Sequence, residues 1–225
     1  MTRDAATLLI YCPESEIDLA VIDRSSSEVS FPGGVAMSSI EQARGLFERA
    51  AATFRSVLLD VRPHQLHLPT PCRPLDVAQL VSTAIGHQNW TRAAIAGTSA
   101  PRPYPDMAAD RWVSEFDEST ATMLATIDDD EAMGRTVGLA AGLTFPAPDV
   151  AVLAARNIFQ FGWDLAGAIG HDLDLSPDLA RELLDISRSR LVPQRGPNGF
   201  FGPEQIPPAG SPLATVLAGY LGRDV

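Results

Sequence analysis

From Ser38 onward, apolar residues return every three or four positions in runs long enough for helices, and proline or glycine closes the runs. In the first run Ile40, Ala43, Phe47, Ala50, Phe54, Val57 and Leu58 share a face until Pro63 stops it, and Ser38 with Glu41 reads as a capping box. Asp76 and Gln79 cap a second helix that runs to about Ala96, before Gly97. Pro105 and Asp106 open a third, with Ala109, Val113, Phe116, Thr120, Met123 and Ile127 on one face. After a loop over 134–148, with room for a short hairpin, a fourth helix covers about 149–169 and ends at Gly170. Ser176-Pro177 starts a shorter helix through Leu191, and Ser211-Pro212 a last one ending at Gly222. The expected fold is therefore all-α: a four-helix bundle with one or two extra short C-terminal helices.

Residues 1–36 do not share this pattern. Leu8-Leu9-Ile10-Tyr11 and Leu19-Ala20-Val21-Ile22 are short apolar runs suited to two small strands, followed by a Ser-rich and Gly-rich stretch. Two readings stand side by side: a short N-terminal β-appendage, or a leader upstream of a native start at Met37. The expected domain is 37–225.

The 225 residues suit one domain with a sizeable core. A hydrophobic fraction of 45% and a charged fraction of 20% are those of a globular protein. The net charge of −11 argues against nucleic acid and against anionic membrane surfaces as partners. Every basic side chain is arginine; without lysine, Schiff-base chemistry and a Walker-type phosphate loop are excluded. Two cysteines, Cys12 and Cys72, make neither a disulfide framework nor a metal motif, and a cytoplasmic setting is expected. Cys72, after a proline turn, reads as a buried small residue. His64 and His67 in the loop 63–71 read as solvated, and His171 as a charge complement at a helix end.

Several motifs carry a resemblance. Pro69-Thr70-Pro71-Cys72, Asp76-Val77, Gln160-Phe161-Gly162-Trp163-Asp164-Leu165-Ala166, Ser211-Pro212-Leu213 and the terminal Gly222-Arg223-Asp224 occur in order between Ile40 and Val225. Together they resemble the actinobacterial DinB-like metal-binding proteins, relatives of the mycothiol-dependent maleylpyruvate isomerases. The resemblance implies a DinB-like bundle running up-down-down-up, with a divalent metal held by a histidine on the second helix and by an acidic residue or histidine plus a histidine on the fourth. Thr83 stands at the first of those positions, Asn157 and Phe161 at the others. A hydroxyl and an amide are weak ligands and a phenyl ring has no lone pair, so the expectation is a divergent member with no metal site.

What the two helices keep is polar. Thr83, His87 and Trp90 recur on one stripe of the second helix; Asn157, Phe161 and Asp164 do so on the fourth, with Gln160 beside them. If both stripes face inward, His87 is a candidate acid–base residue, and Thr83, Trp90, Asn157, Gln160, Phe161 and Asp164 line a substrate pocket. The plainer reading has His87 bonded to Asn157 or a backbone carbonyl, and Asp164 in a structural role. The antiparallel second and fourth helices should place His87 nearer Asn157 than Asp164. The aromatic, glycine-rich run 195–202 reads as a lid or as a plug for an apolar gap.

Three readings and one further alternative follow from these expectations. The first is a metal-independent small-molecule enzyme of isomerase, cyclase or lyase type, in specialised metabolism, without a cofactor. The second is a non-catalytic binding or self-resistance protein on the same bundle, and a mycothiol-dependent transferase or isomerase is a further alternative. A homodimer subunit whose bundle has lost activity is the third.

Overall fold

The computed structural model describes residues 38–98, 107–139, 144–193, 195 and 201–225; the sequence readings on residues 1–36, Asp106 and most of the run 195–202 lie outside them. Four long helices carry the fold: α1 (Ile40–Leu58), α2 (Val77–Ala96), α3 (Trp112–Ile127) and α5 (Ala147–Ile169). Between α3 and α5 lie the single turn α4 (Asp130–Met133) and an antiparallel hairpin of β1 (Thr136–Gly138) and β2 (Thr144–Pro146), with Val137 opposite Phe145. The shorter α6 (Pro177–Ser189) and α7 (Leu213–Tyr220) follow. Among the described residues no helix is long and apolar enough to cross a membrane.

Long-range contacts fix the helix directions. Ser38 meets Asp149 at the starts of α1 and α5, and His171 meets Asp60 beyond their ends, so these two run parallel. Arg44 pairs with Asp128 and Arg55 with Asp117, which sets α3 antiparallel to α1. The Ala96 carbonyl, at the end of α2, accepts from Arg135 Nη1 at 2.5 Å, and the Arg135 carbonyl accepts from the Ala147 amide at the start of α5. The order is up-down-down-up, as the resemblance implied. Parallel α2 and α3 need a connection as long as a helix. Residues 97–111, at roughly 3.3 Å each, can reach about 50 Å against about 30 Å for a 20-residue helix.

The core forms where the apolar stripes meet. Phe54 of α1 stacks on Phe116 of α3 at 4.8 Å, and both are fully buried. Each such ring removed from water stabilises the fold by about 1.5–3 kcal/mol. At Gly162 α5 closes on α1: a Cβ there would sit 3.5 Å from the Phe54 Cα, in ordinary van der Waals contact.

Several helix ends differ from the sequence reading. Ser39 rather than Ser38 caps α1, accepting from the Gln42 amide at 3.0 Å. Ser38 is buried instead, and its hydroxyl and amide both donate to Asp149 Oδ1, at 2.7 and 3.1 Å. Arg190 Nη2 donates to the same hydroxyl at 2.7 Å. A charge-assisted tertiary bond has displaced a local cap. α3 begins after a 3₁₀ turn over Ala109–Arg111. α5 starts at Ala147, two residues early, because Pro146 ends β2 and stands at its N-cap, with Pro148 in its first turn. Ser176 and Ser211 do not cap with their side chains: Ser176 takes a left-handed φ of 39°, and Ser211 Oγ donates to the Pro208 carbonyl. α6 stops at Ser189, two residues short of the expected end.

Candidate functional site

The α2 sequence puts polar residues where a bundle helix normally puts leucines. Thr83, His87, Gln88 and Thr91 are all buried. Local rules broken in this way mark strained or functional positions. Thr91 is explained within the helix, since its hydroxyl donates to the His87 carbonyl at 2.9 Å. Gln88 is explained in part: its Oε1 accepts from Thr120 of α3 at 3.1 Å, while its buried Nε2 has no partner.

His87 sits between two rings. Trp90 stacks on it at 6.1 Å and 25°, and Phe161 meets it edge-on at 6.0 Å and 72°. Asn157 lies across from it on α5, and Asn157 Nδ2 stands 3.1 Å from His87 Nε2. In that orientation the amide donates and Nε2 accepts. The Asn157 Oδ1 is buried without a partner among the described residues. Turning the amide over would offer Oδ1 to a protonated imidazole, so Asn157 can complement both protonation states of His87.

The α2 stripe and the α5 stripe thus do face each other, and His87, Trp90, Asn157 and Phe161 come together. Thr83 is buried one turn before His87, toward the Asp164 end of the antiparallel α5. Gln160 follows Arg156 by one turn and Asn157 by three residues, and so occupies the shoulder between them. Its Nε2 is buried and unpartnered.

Asp164 does not join the site, which corrects its place among the pocket residues. Both of its oxygens are taken by Arg223, Oδ1 from Nε at 2.9 Å and Oδ2 from Nη2 at 2.8 Å, and the carboxylate is fully buried. Burial alone would pull the Arg223 guanidinium down; the charge and hydrogen bonds of Asp164 outweigh it and hold the group above its ordinary range. Trp163 beside it donates to Thr215 Oγ1 at 3.1 Å, so this part of the motif clamps α7 onto α5.

The remaining candidates resolve as structural. His67 approaches Asp76 at 3.3 Å and is almost wholly exposed, and His64 is exposed. His171 pairs with Asp60 across the ends of α1 and α5. Cys72 is buried, and burial, with a smaller push from Asp164 and an opposing one from Arg223, raises its thiol to about 12. At pH 8 that leaves roughly one thiolate in ten thousand. Iodoacetamide at pH 8 should therefore leave the Cys72 peptide unmodified in native protein and label it fully in urea. Native labelling at the unfolded rate would show an open site.

Sequence reasoning missed Arg156. It sits in a helix that buries almost every residue from Ala147 to Ala166. An arginine inside so apolar a run is itself a signal, since guanidinium groups are rarely buried without a partner.

On the facing stripes of α2 and α5 the described donors are the Thr83 hydroxyl, the His87 imidazole and the Asn157 amide. One imidazole remains, its Nε2 engaged by Asn157, and Phe161 contributes only a ring edge. Among the described residues no three His, Cys, Asp or Glu side chains gather in a way that could hold a metal ion.

No family model matches the chain. It is 31% identical over 179 residues to the uncharacterized proteins MT0763 and Rv0738 of two Mycobacterium tuberculosis strains, CDC 1551 / Oshkosh and ATCC 25618 / H37Rv. The match covers 79% of this chain and 96% of each of them. Among solved structures, a histidine-to-alanine mutant of the mycothiol-dependent maleylpyruvate isomerase superposes with a TM-score of 0.51 at 17% identity, over 66% of this chain and 70% of that one. At that identity the likeness assigns the fold, a DinB-like helical bundle.

Proposed function

We propose that this chain, which belongs to the same family as the two Mycobacterium tuberculosis proteins MT0763 and Rv0738, is a small-molecule enzyme that performs acid–base chemistry without a metal, using His87 as its proton carrier. One observation carries the reading: a buried imidazole held between Trp90 and Phe161, with an asparagine amide on its Nε2. The plainer reading of His87, as a packing residue, expects the same bond to Asn157, and turnover in His87→Ala decides between the two.

A carbonyl compound that displaces the pair would find both groups it needs. His87 Nε2 takes a proton from the carbon next to the carbonyl, the C–H electrons move onto the carbonyl oxygen, and Asn157 Nδ2 donates to that oxygen as charge develops. In a β,γ-unsaturated carbonyl compound, returning the proton to the γ-carbon while the double bond moves to the α,β position and the carbonyl re-forms completes an isomerisation with no oxidant or reductant. Isomerisation is also the activity named for the protein that shares the fold. In this reading Phe161, Trp90 and Thr83 line the bound substrate and exclude water. The donor set supports a reaction that needs no metal, and a role in cytoplasmic specialised metabolism belongs to this proposal.

The test is a comparison of chelator-treated and untreated protein on a small-molecule extract, with products followed by mass spectrometry. The expected result is the same isomer formed at the same rate by both. Turnover that disappears with chelator and returns with zinc or nickel would sink the reading. Saturable binding with no product would establish a binding protein instead.

A further inference from the structure

α5 buries three charged side chains, Asp149, Arg156 and Asp164. Ser38 donates to Asp149 and Arg223 neutralises Asp164; among the described residues no carboxylate pairs with Arg156. Arg156 Nη1 donates to the Leu191 carbonyl at 2.9 Å, and the Phe201 ring covers the guanidinium at 5.1 Å. Among the described residues the buried Nε has no partner.

The surroundings share one character. Arg195 donates to the carbonyls of Gly202 and Tyr220 and lies 5.1 Å from the Tyr220 ring, and Arg188 lies 5.3 Å from that ring. Gln160 Nε2, one turn along α5, and Ser187 Oγ of α6, four residues before Leu191, are also buried without partners among the described residues. Arg156 and Gln160 thus present unanswered donors, and the charges gathered around Tyr220 are positive, in a chain whose net charge is −11. A buried cation without a counter-charge is strongly unfavourable unless something supplies one. Burial does pull the guanidinium down, to about 10, with Tyr220 opposing and Arg195 reinforcing the shift. It remains charged at neutral pH.

We infer that Arg156, with Gln160 and Ser187 as neutral donors, forms a binding subsite for the carboxylate of a small organic acid. The Nε–Nη2 edge of a guanidinium offers two parallel N–H donors, the match for a planar carboxylate. One buried guanidinium with neutral donors balances one negative charge, which favours a monocarboxylate over a phosphate dianion. Gln160, one turn after Arg156 and three residues after Asn157, lies between the Arg156 face of α5 and the face that meets His87. The inference deepens the enzyme reading by naming the substrate class, yet it rests on side chains that the proton transfer does not use.

The experiment measures binding of benzoate, acetate and inorganic phosphate at constant ionic strength, by calorimetry and thermal shift. Wild type is compared with Arg156→Met, Gln160→Leu and His87→Ala. Benzoate at a hundred times its Kd should raise the wild-type Tm by about 5–10 °C. Arg156→Met should lose at least about tenfold in affinity and Gln160→Leu a smaller factor, through lost charge-assisted and neutral bonds respectively. His87→Ala should bind as wild type does even with turnover abolished, which separates this inference from the catalytic one. Absence of saturable carboxylate binding overturns it, as does phosphate binding more tightly than either acid. Should Arg156→Met fail to fold, Gln160→Leu decides: undiminished benzoate affinity in that variant also overturns it.

Discussion

Replacing Arg223 by alanine is expected to destabilise the protein by about 3–5 kcal/mol, read as a lowered urea midpoint with an unchanged slope. The size follows from what remains behind. Asp164 is fully buried and accepts from Arg223 on both oxygens, so the variant strands a carboxylate in the core. The double variant Asp164→Leu with Arg223→Met separates two explanations. If charge compensation is the cause, the double variant recovers most of the loss, because two apolar side chains replace two matched charges. If it is as unstable as Arg223→Ala, packing of the last residues is the cause and the electrostatic account is wrong.

Replacing His87 by alanine is expected to reduce turnover of the cognate compound by about 10²- to 10⁴-fold, the usual contribution of a positioned proton carrier. Stability should fall less than for Arg223→Ala, since no buried charge is stranded. Asn157→Leu should act in the same direction and more weakly, by removing the donor that steadies the imidazole and the developing oxyanion. The informative quantity is the split between kcat and KM: loss in kcat places His87 in the chemical step. Unchanged turnover in His87→Ala would make the imidazole a packing residue between Trp90 and Phe161.

The bundle was legible because its signals are local. Apolar spacing placed the four long helices, Asp76 and Gln79 closed the expected capping box, and Gly97 and Gly170 took left-handed conformations at the ends of α2 and α5. The pairing of His87 with Asn157 was also within reach, since antiparallel helices of fixed pitch leave few partners for a given stripe. The α1 cap was misplaced by one residue because Ser38 and Ser39 are chemically alike. Only the approach of Asp149 and Arg190, far along the chain, distinguishes them.

Sequence by itself determined the helices, their order, and the stripe on which His87 and Asn157 face one another. Tertiary structure alone decided which polar groups are occupied and which are left over. Asp164 shares its stripe with Phe161, yet Arg223, 59 residues away, removes it from the site. Arg156 and Asn157 are neighbours in the chain, yet one turns toward Leu191 and Phe201 and the other toward His87. Periodicity fixes the direction in which a side chain leaves its helix. Whether a charge then meets its opposite depends on segments brought together only by packing.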